Sequence, residues 1–271
     1  MLKILVLADI QTKRPLSRAE KEGLFELIRR ASPDLVVLLG DVIFAPFVLS
    51  SVRFSKIINS VMEPIMSSKV PFVFVSGNHD LDGIIPIEKQ LEIYNKYPGC
   101  LTPQISSREC AGGYTLSHKE LLGLPLGMTL LFLDSGRTKV SRRGIEFLPP
   151  TDEQLDYSDK VLGSSRKAVV FQHITVPDVS SAKIVSGIMG EKPCPSYENV
   201  RQFPAWVRSG NVSVAVFGHD HKNSFVAELD GIKLIQTPCA GLKCYGLDGL
   251  RGGRIVTILD DGTVETEELL Y

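Results

Sequence analysis

The ten residues Pro71–Asp80 read PFVFVSGNHD: an apolar run, Pro71–Ser76, that gives way at once to Gly77-Asn78-His79-Asp80. Phe and Val in close series suit a strand covered on both faces, and the polar residues begin where such a strand leaves its sheet. The same arrangement stands earlier in the chain. Leu2–Ala8 (LKILVLA) stops at Asp9, and Asp34–Leu39 runs into Gly40-Asp41. It returns later, where Ala168–Gln172 delivers His173 and Val212–Phe217 delivers Gly218-His219-Asp220-His221. Helix-forming segments separate the first three runs. Ser17 precedes Arg18–Ala31 with Glu20 three residues on, a capping-box spacing, and Pro33 closes that segment. A second helix covers Ser51–Ser67 and is expected to break near Pro64. Strand–helix alternation of this kind calls for βαβ crossovers and a largely parallel sheet. Open α/β sheets place their sites at the C-terminal ends of the strands, which is where these polar residues fall.

The rest of the chain is less regular. Pro86–Lys96 and Asp152–Leu162 read as helices, and Thr115–Leu116 and Thr129–Leu133 as strands. Pro177–Ser196 has few periodic signals and is expected to be a long loop or cap. The end reads as antiparallel strands, Ser224–Leu229 with Ile232–Gln236 and Arg254–Leu259 with Val264–Glu268, joined by the turns Asp230-Gly231 and Asp261-Gly262. No repeat, low-complexity tract or linker divides the sequence, so one domain over residues 1–271 is expected.

Composition narrows the function. With 271 residues, 44% hydrophobic and 23% charged, the chain can build a core without disulfide staples. Thirty basic against thirty-one acidic residues leave a net charge of -1, so the basic excess of a nucleic-acid binder is missing and no such partner is expected. The apolar start is too short for a signal sequence and no run of 18 apolar residues occurs, so no membrane span is expected and the location expected is cytoplasmic. None of the five cysteines forms a C-x-x-C pair, which argues for free thiols.

The chemistry lies in the strand-end residues. Four of the five histidines (79, 173, 219 and 221) follow strand-like runs. With Asp9, Asp41 and Asn78 they supply imidazole, carboxylate and amide donors, a mixture suited to Mn, Fe or Zn rather than Mg or Ca. Seven donors exceed the needs of one tetrahedral ion. A two-metal site is the simpler reading, with a carboxylate such as Asp41 bridging ions ~3.5–4 Å apart.

The ordered set Asp9, Gly40-Asp41, Gly77-Asn78-His79-Asp80, His173 and Gly218-His219-Asp220-His221 resembles the calcineurin-like metallophosphoesterase superfamily. Phe132–Gly136, Phe171–Ile174, Asn223 and the tail Tyr245–Arg254 look like its purple-acid-phosphatase-like eukaryotic branch. The resemblance implies a four-layer α/β/β/α sandwich, two mixed sheets face to face with helices outside. It implies that Asp9, Asp41 and His221 hold one metal and that Asn78, His173 and His219 complete the second, with Asp41 shared. His79 would face the substrate as general acid or phosphate binder, oriented by Asp80. The implied activity is a phosphatase reaction on a phosphorylated small molecule or phosphoprotein, by a metal-bound hydroxide. Two alternatives come with it: a phosphodiesterase on the same site, and a scaffold whose catalysis has decayed, like the retromer subunit of the superfamily.

This sequence departs from the family's D-x-H block, because Gln11 stands at the histidine position. An amide oxygen is an uncharged ligand, so the first site is expected to be weakened or to prefer a harder ion such as Mn. Where the purple enzymes carry a tyrosine, this chain has Phe44, and no tyrosinate charge-transfer band is expected. Other candidates have two readings each. Arg137, Lys139, Arg142 and Arg143 read as a solvated loop or as an anion-attracting rim. Asp134 reads as a structural hydrogen bonder, His118 as a surface histidine, and Phe203 with Trp206 as core. Cys239 and Cys244 flank a Gly-containing turn and read as plain thiols, with a ligand or redox role as the rival. Tyr245 with Arg254 is placed, from the resemblance, at the site entrance.

Overall fold

The computed structural model describes residues 1–142, 144–197 and 201–271. Strands β1 (Leu2–Leu7), β2 (Leu35–Leu39) and β3 (Phe72–Val75) run parallel, joined through helices α1 (Arg18–Ala31) and α2 (Ser51–Ser68). A single turn, α3 (Asn78–Leu81), and helix α4 (Ile87–Tyr94) lead away from β3. The chain then enters a second sheet through β4 (Gly113–Leu116) and β5 (Met128–Leu133). A separate hairpin follows, β6 (Thr138–Ser141) with β7 (Gly144–Phe147), and then helix α5 (Asp152–Ser164). Strand β8 (Lys167–Gln172), β9 (Lys183–Met189), helix α6 (Gln202–Ser209), β10 (Val212–Phe217), β11 (Asn223–Leu229) and β12 (Ile232–Gln236) complete the second sheet. The chain returns to the first sheet with β13 (Gly252–Ile258) and β14 (Val264–Leu270), where β13 pairs antiparallel with β1. The strand orders are β14-β13-β1-β2-β3 and β4-β5-β8-β10-β12-β11-β9.

Period-two burial explains the layering. In β1, Ile4 and Val6 point into the space between the sheets, where they meet Phe132, Val169 and Val216. Leu5 and Leu7 point the other way, onto Leu24, Leu27 and Ile28 of α1 and Phe54 and Val61 of α2. In β5, Leu130 and Phe132 face inward while Leu131 and Leu133 pack with Leu162, Phe203 and Trp206 under α5 and α6. Every central strand is therefore apolar on both faces, and each fully buried Leu, Ile, Val or Phe contributes roughly 1.5–3 kcal/mol. The result is the α/β/β/α sandwich, with the C-terminal ends of β1, β2, β3, β8 and β10 at one edge.

Two expectations fail. The second helix does not break at Pro64 but continues to Ser68. Pro64 lies near its C-terminal end, where losing one N–H to the Ser60 carbonyl interrupts little of the ladder. Pro177–Ser196 is not only loop, since it holds a 3-10 turn at Pro177–Ser181 and the edge strand β9. All seven residues of β9 are exposed, so no alternation of burial marked it in the sequence. The capping box of α1 forms as expected, with Ser17 accepting from the Glu20 N–H and the Glu20 carboxylate accepting from the Ser17 N–H at 2.8 Å.

Candidate metal centre

The ends of β1, β2 and β10 deliver their residues through strained turns. Asp9, Gln11, Asp41 and His219 all have positive φ, at 58°, 45°, 50° and 76°. Non-glycine residues in that region cost energy and persist only where the surroundings hold them, and such residues cluster at functional sites. The hydrogen bonds show what holds them. The Asp9 N–H donates to the Gly40 carbonyl at 3.1 Å and the Gln11 N–H to the Asp41 carbonyl at 2.8 Å. The His219 N–H donates to Asp9 Oδ2 at 2.9 Å, and the His79 N–H to Asp41 Oδ1 at 2.8 Å.

Gly77 makes the convergence possible by its size. A Cβ there would stand 2.2 Å from Asp41 Oδ1 and 2.6 Å from the Asp41 nitrogen, so no larger residue fits between the β2 and β3 ends.

Of the residues expected to bind metal, the structure brings Asp9, Asp41, His173, His219 and His221 within reach of one another. Asp41, His173 and His219 each offer one donor atom, all within 4.8 Å of one another. His173 Nε2 lies 3.3 Å from Asp41 Oδ2 and 3.6 Å from Asp9 Oδ1, and His221 Nε2 lies 3.1 Å from Asp9 Oδ1. The far nitrogens face main-chain carbonyls, Leu39 at 2.8 Å for His173 Nδ1 and Tyr245 at 2.9 Å for His221 Nδ1. A histidine that donates from Nδ1 keeps a lone pair on Nε2, the arrangement a ligand needs. Asn78 is oriented in the same way, its amide nitrogen donating to Thr138 Oγ1 at 3.0 Å. Asn78 Oδ1 and His173 Nε2 are buried with no hydrogen-bond partner. Buried polar atoms left without a hydrogen bond are costly unless something else meets them, and a divalent ion would meet the Asn78 oxygen and, once its proton leaves, the His173 nitrogen. Gln11 lines the adjoining cavity of about 290 Å³ with Asp41, His79, His219 and His221.

The charges interlock. Burial works to raise the Asp9 carboxyl, but the charges of His173 and His221 outweigh it and hold it low. Asp41 is held low in the same way, against burial, by His173 first and then His79. Conversely, burial works to lower His173 and His221, and the neighbouring carboxylates push them up to about 9 and about 11. For His219, burial followed by the His173 charge outweighs the pull of Asp41 and Asp9 and brings it down to about 3.

His79 occupies the mouth of the cavity. Its Nδ1 is 3.6 Å from Asp82 Oδ2, its Nε2 3.9 Å from Asp41 Oδ2, and the Phe44 ring packs against it at 4.4 Å. Burial pulls its pKa down, but Asp82 and Asp41 together raise it above the ordinary value. Here the sequence expectation is corrected, because Asp80 does not orient His79. Residues i and i+1 of a helical turn face different directions, whereas i and i+3 share a face. Asp80 instead accepts the N–H groups of Asp41 at 2.7 Å, Gly77 at 3.0 Å and Ile43 at 3.2 Å, and so pins the turn that presents Asp41. Burial and the Asp41 charge push the Asp80 carboxyl up to about 7, while the Gly77 and Ile43 N–H groups work against that rise.

The remaining candidates divide. Arg137, Lys139 and Arg142 are exposed on the β6–β7 hairpin, and Arg143 lies outside the described residues. Asp134 is structural: it accepts the Ser76 N–H at 2.7 Å and pairs with the buried Arg108 at 2.8 Å. His118 is half-buried rather than at the surface, with Nδ1 2.6 Å from the Leu124 carbonyl. Tyr245 does reach the site, its ring stacked on His221 at 4.1 Å. Arg254 does not; it is buried on β13, bonded to Ser224 at 2.7 Å and 3.4 Å from Glu268. The sequence reading misses Asp82, Thr138 and Phe147, whose ring meets His219 edge-on at 4.4 Å. Only Asp82 carries a signal, its i+3 spacing from His79.

Residues 2–223 match the family described as calcineurin-like phosphoesterase. The chain belongs to that family. "Probable inactive purple acid phosphatase 14" of Arabidopsis thaliana is 28% identical, over 82% of this chain and 62% of its own length. The chain thus spans less than two thirds of that curated relative. Among solved structures, a dimetal phosphatase from Danio rerio superposes with a TM-score of 0.65 at 15% identity, over 94% of this chain and 92% of the other. GAP50, described as the anchor in the inner membrane complex of Plasmodium, superposes at 0.62 with 13% identity, over 98% of this chain and 83% of its own. At those identities the likeness is one of calcineurin-like phosphoesterase fold. No described helix is long and apolar enough to cross a membrane.

Proposed function

We propose that the chain is a metal-dependent phosphoesterase acting on phosphate monoesters, with a phosphorylated small molecule or phosphoprotein as substrate. The observation that carries this reading is the convergence of Asp9, Asp41, Asn78, His173, His219 and His221 beside a half-buried His79. Asp9, Asp41 and His221 would hold one ion with Gln11 beside them, and Asp41, Asn78, His173 and His219 the other. Two such ions, Mn, Fe or Zn, would supply positive charge against phosphoryl oxygens and lower the pKa of a bound water. His79 lines the cavity, and Asp82 and Asp41 favour its protonated form against burial, so it would be the group that donates a proton to the leaving oxygen. Asp80 is a positioning residue for Asp41.

The test is Mn-dependent hydrolysis of p-nitrophenyl phosphate beside bis(p-nitrophenyl) phosphate, with Asp41→Asn as the blank. Faster monoester cleavage that disappears in the blank supports the reading, and faster diester cleavage makes the chain a phosphodiesterase. Gln11, at the family's histidine position, favours one rival, a binding scaffold on the same fold. The word "inactive" in the Arabidopsis relative's name and the description of GAP50 as an anchor fit that rival. Rates no higher than the blank with Mn, Fe, Zn and Co would select it.

A further inference from the structure

We propose that Cys239 and Cys244 form a peroxide-sensitive dithiol that closes into an intrachain disulfide next to the candidate metal site. Their sulfurs lie 3.0 Å apart, and a bond of ~2.05 Å needs only a small further approach. The loop between them is built to hold this geometry. Gly241 is pressed so closely that an added Cβ would stand 2.5 Å from the Ile10 carbonyl oxygen and 2.7 Å from Cys244 Sγ. Arg251 clamps the loop from outside, donating to the Gly241 carbonyl and, at 2.9 Å, to the Cys244 carbonyl. Its Nη1 also lies 3.9 Å from Cys239 Sγ and 3.7 Å from Cys244 Sγ, which sets a positive charge against both sulfurs. A cationic neighbour is a feature of reactive cysteines.

Exposure assigns the two roles. Cys239 is buried, whereas Cys244 is half-buried and lines a cavity of about 540 Å³ beside Gln11 and Tyr245. Cys244 is therefore the sulfur that hydrogen peroxide reaches. It attacks one peroxide oxygen, the O–O bond breaks, one water leaves, and Cys244 becomes a sulfenic acid. Cys239 then attacks the Cys244 sulfur, the S–O bond breaks, and hydroxide departs as the second water with the Cys239 proton. Two thiols are oxidised and one peroxide is reduced to two waters. The link reaches the metal site through Tyr245, the next residue, whose carbonyl lies 2.9 Å from His221 Nδ1. In the sequence these cysteines read as plain thiols, because their spacing matches no redox or metal motif.

Peptide mapping of the whole reduced chain tests the proposal, and it does so whether or not the chain hydrolyses phosphoesters. Hydrogen peroxide is added stepwise, free thiols are alkylated in denaturant, and the peptides are weighed. The expected first product is a Cys239–Cys244 linked peptide lacking two hydrogens, reversed by dithiothreitol, formed before the exposed Cys194 changes. Cys239→Ser is expected to leave a Cys244 sulfenic acid that dimedone traps. Should that buried change fail to fold, Cys244→Ser is the second variant, with Cys239 expected to stay reduced. Oxidation of Cys194 ahead of the pair, or separate oxidation of the two cysteines with no linked peptide, would overturn the proposal.

Discussion

Asp82 Oδ2 stands 3.6 Å from Nδ1 of His79, three residues back on the same turn, while Asp41 approaches the other ring nitrogen at 3.9 Å. The imidazole is thus flanked by carboxylates on both sides, and only one of them belongs to the expected ligand set. This division would let the proposed acid be tuned without touching the candidate metal ligands. Asp82→Asn removes one of the two groups that raise His79, so its pKa falls. A general acid works only while protonated, so the alkaline limb of the kcat profile is expected to move to lower pH. His79→Ala is expected to cost ~100-fold or more in kcat, the usual scale of general acid catalysis. Profiles of kcat against pH for the wild type and Asp82→Asn check this. An unmoved alkaline limb would take His79 out of the proton transfer.

Proton release on metal binding follows from the same electrostatics. His173 and His221, raised to about 9 and about 11, carry protons at neutral pH in the metal-free chain. A ligating nitrogen must give its proton up, so loading both ions at pH 7 is expected to release about two protons. Affinity for Mn should then climb as pH rises from about 6 to 9. Titration calorimetry in buffers of different ionisation enthalpy measures the release directly.

The sign for stability is opposite in the metal-free chain. The raised histidine values stabilise it fully below about pH 6.5, and that contribution is lost as pH rises through the folded values. Asp9, held low, contributes above its ordinary 3.8 and loses that contribution as pH falls. Metal-free protein should therefore melt highest at mildly acidic pH. The gap in Tm between Mn-loaded and chelator-treated samples should widen from pH 6 to 9.

Much of this site was legible in the sequence because strand ends are legible. An apolar run that stops at a carboxylate or histidine announces where a strand leaves the sheet, and five such runs placed Asp9, Asp41, Asn78, His173 and His219. What hid was geometry with no periodic signature. The exchange of roles between Asp80 and Asp82 depends on which face of a four-residue turn each occupies. Strand β9 hid because it is an edge with every side chain in solvent, and Phe147 because a separate hairpin carries it to the site. Pro64 misled because its cost depends on its place in the helix, which spacing alone does not fix.

Gly77→Ala tests the packing of the turn rather than its chemistry. The new methyl would collide with the backbone nitrogen and the carboxylate of Asp41, neither of which can swing aside. Overpacking of this kind costs about 1–3 kcal/mol, and here the shift would fall on the residue proposed to bridge both ions. A lowered urea midpoint together with loss of Mn binding is expected. A stable variant that binds Mn as tightly as the wild type would mean that the β2 and β3 ends have slack.

The substitution that bears most on activity is Gln11→His, since Gln11 is where the sequence leaves the family pattern. Gln11 lines the cavity with Asp41 and His221, so a histidine there would face the same space. Imidazole is a better partner than an amide oxygen for Zn or Fe, whereas Mn discriminates less between them. The variant is therefore expected to bind Zn about tenfold more tightly and to change little toward Mn, as befits a harder ion. If the wild type is a working Mn enzyme, its Mn rate should survive the change, and Zn should become an effective cofactor only in the variant. If the wild type is a scaffold, restored metal binding by itself should bring hydrolysis of p-nitrophenyl phosphate above the Asp41→Asn blank. Identical Zn and Mn affinities in the two proteins would show that position 11 does not reach the ions, and the departure at Gln11 would then carry no argument for decay.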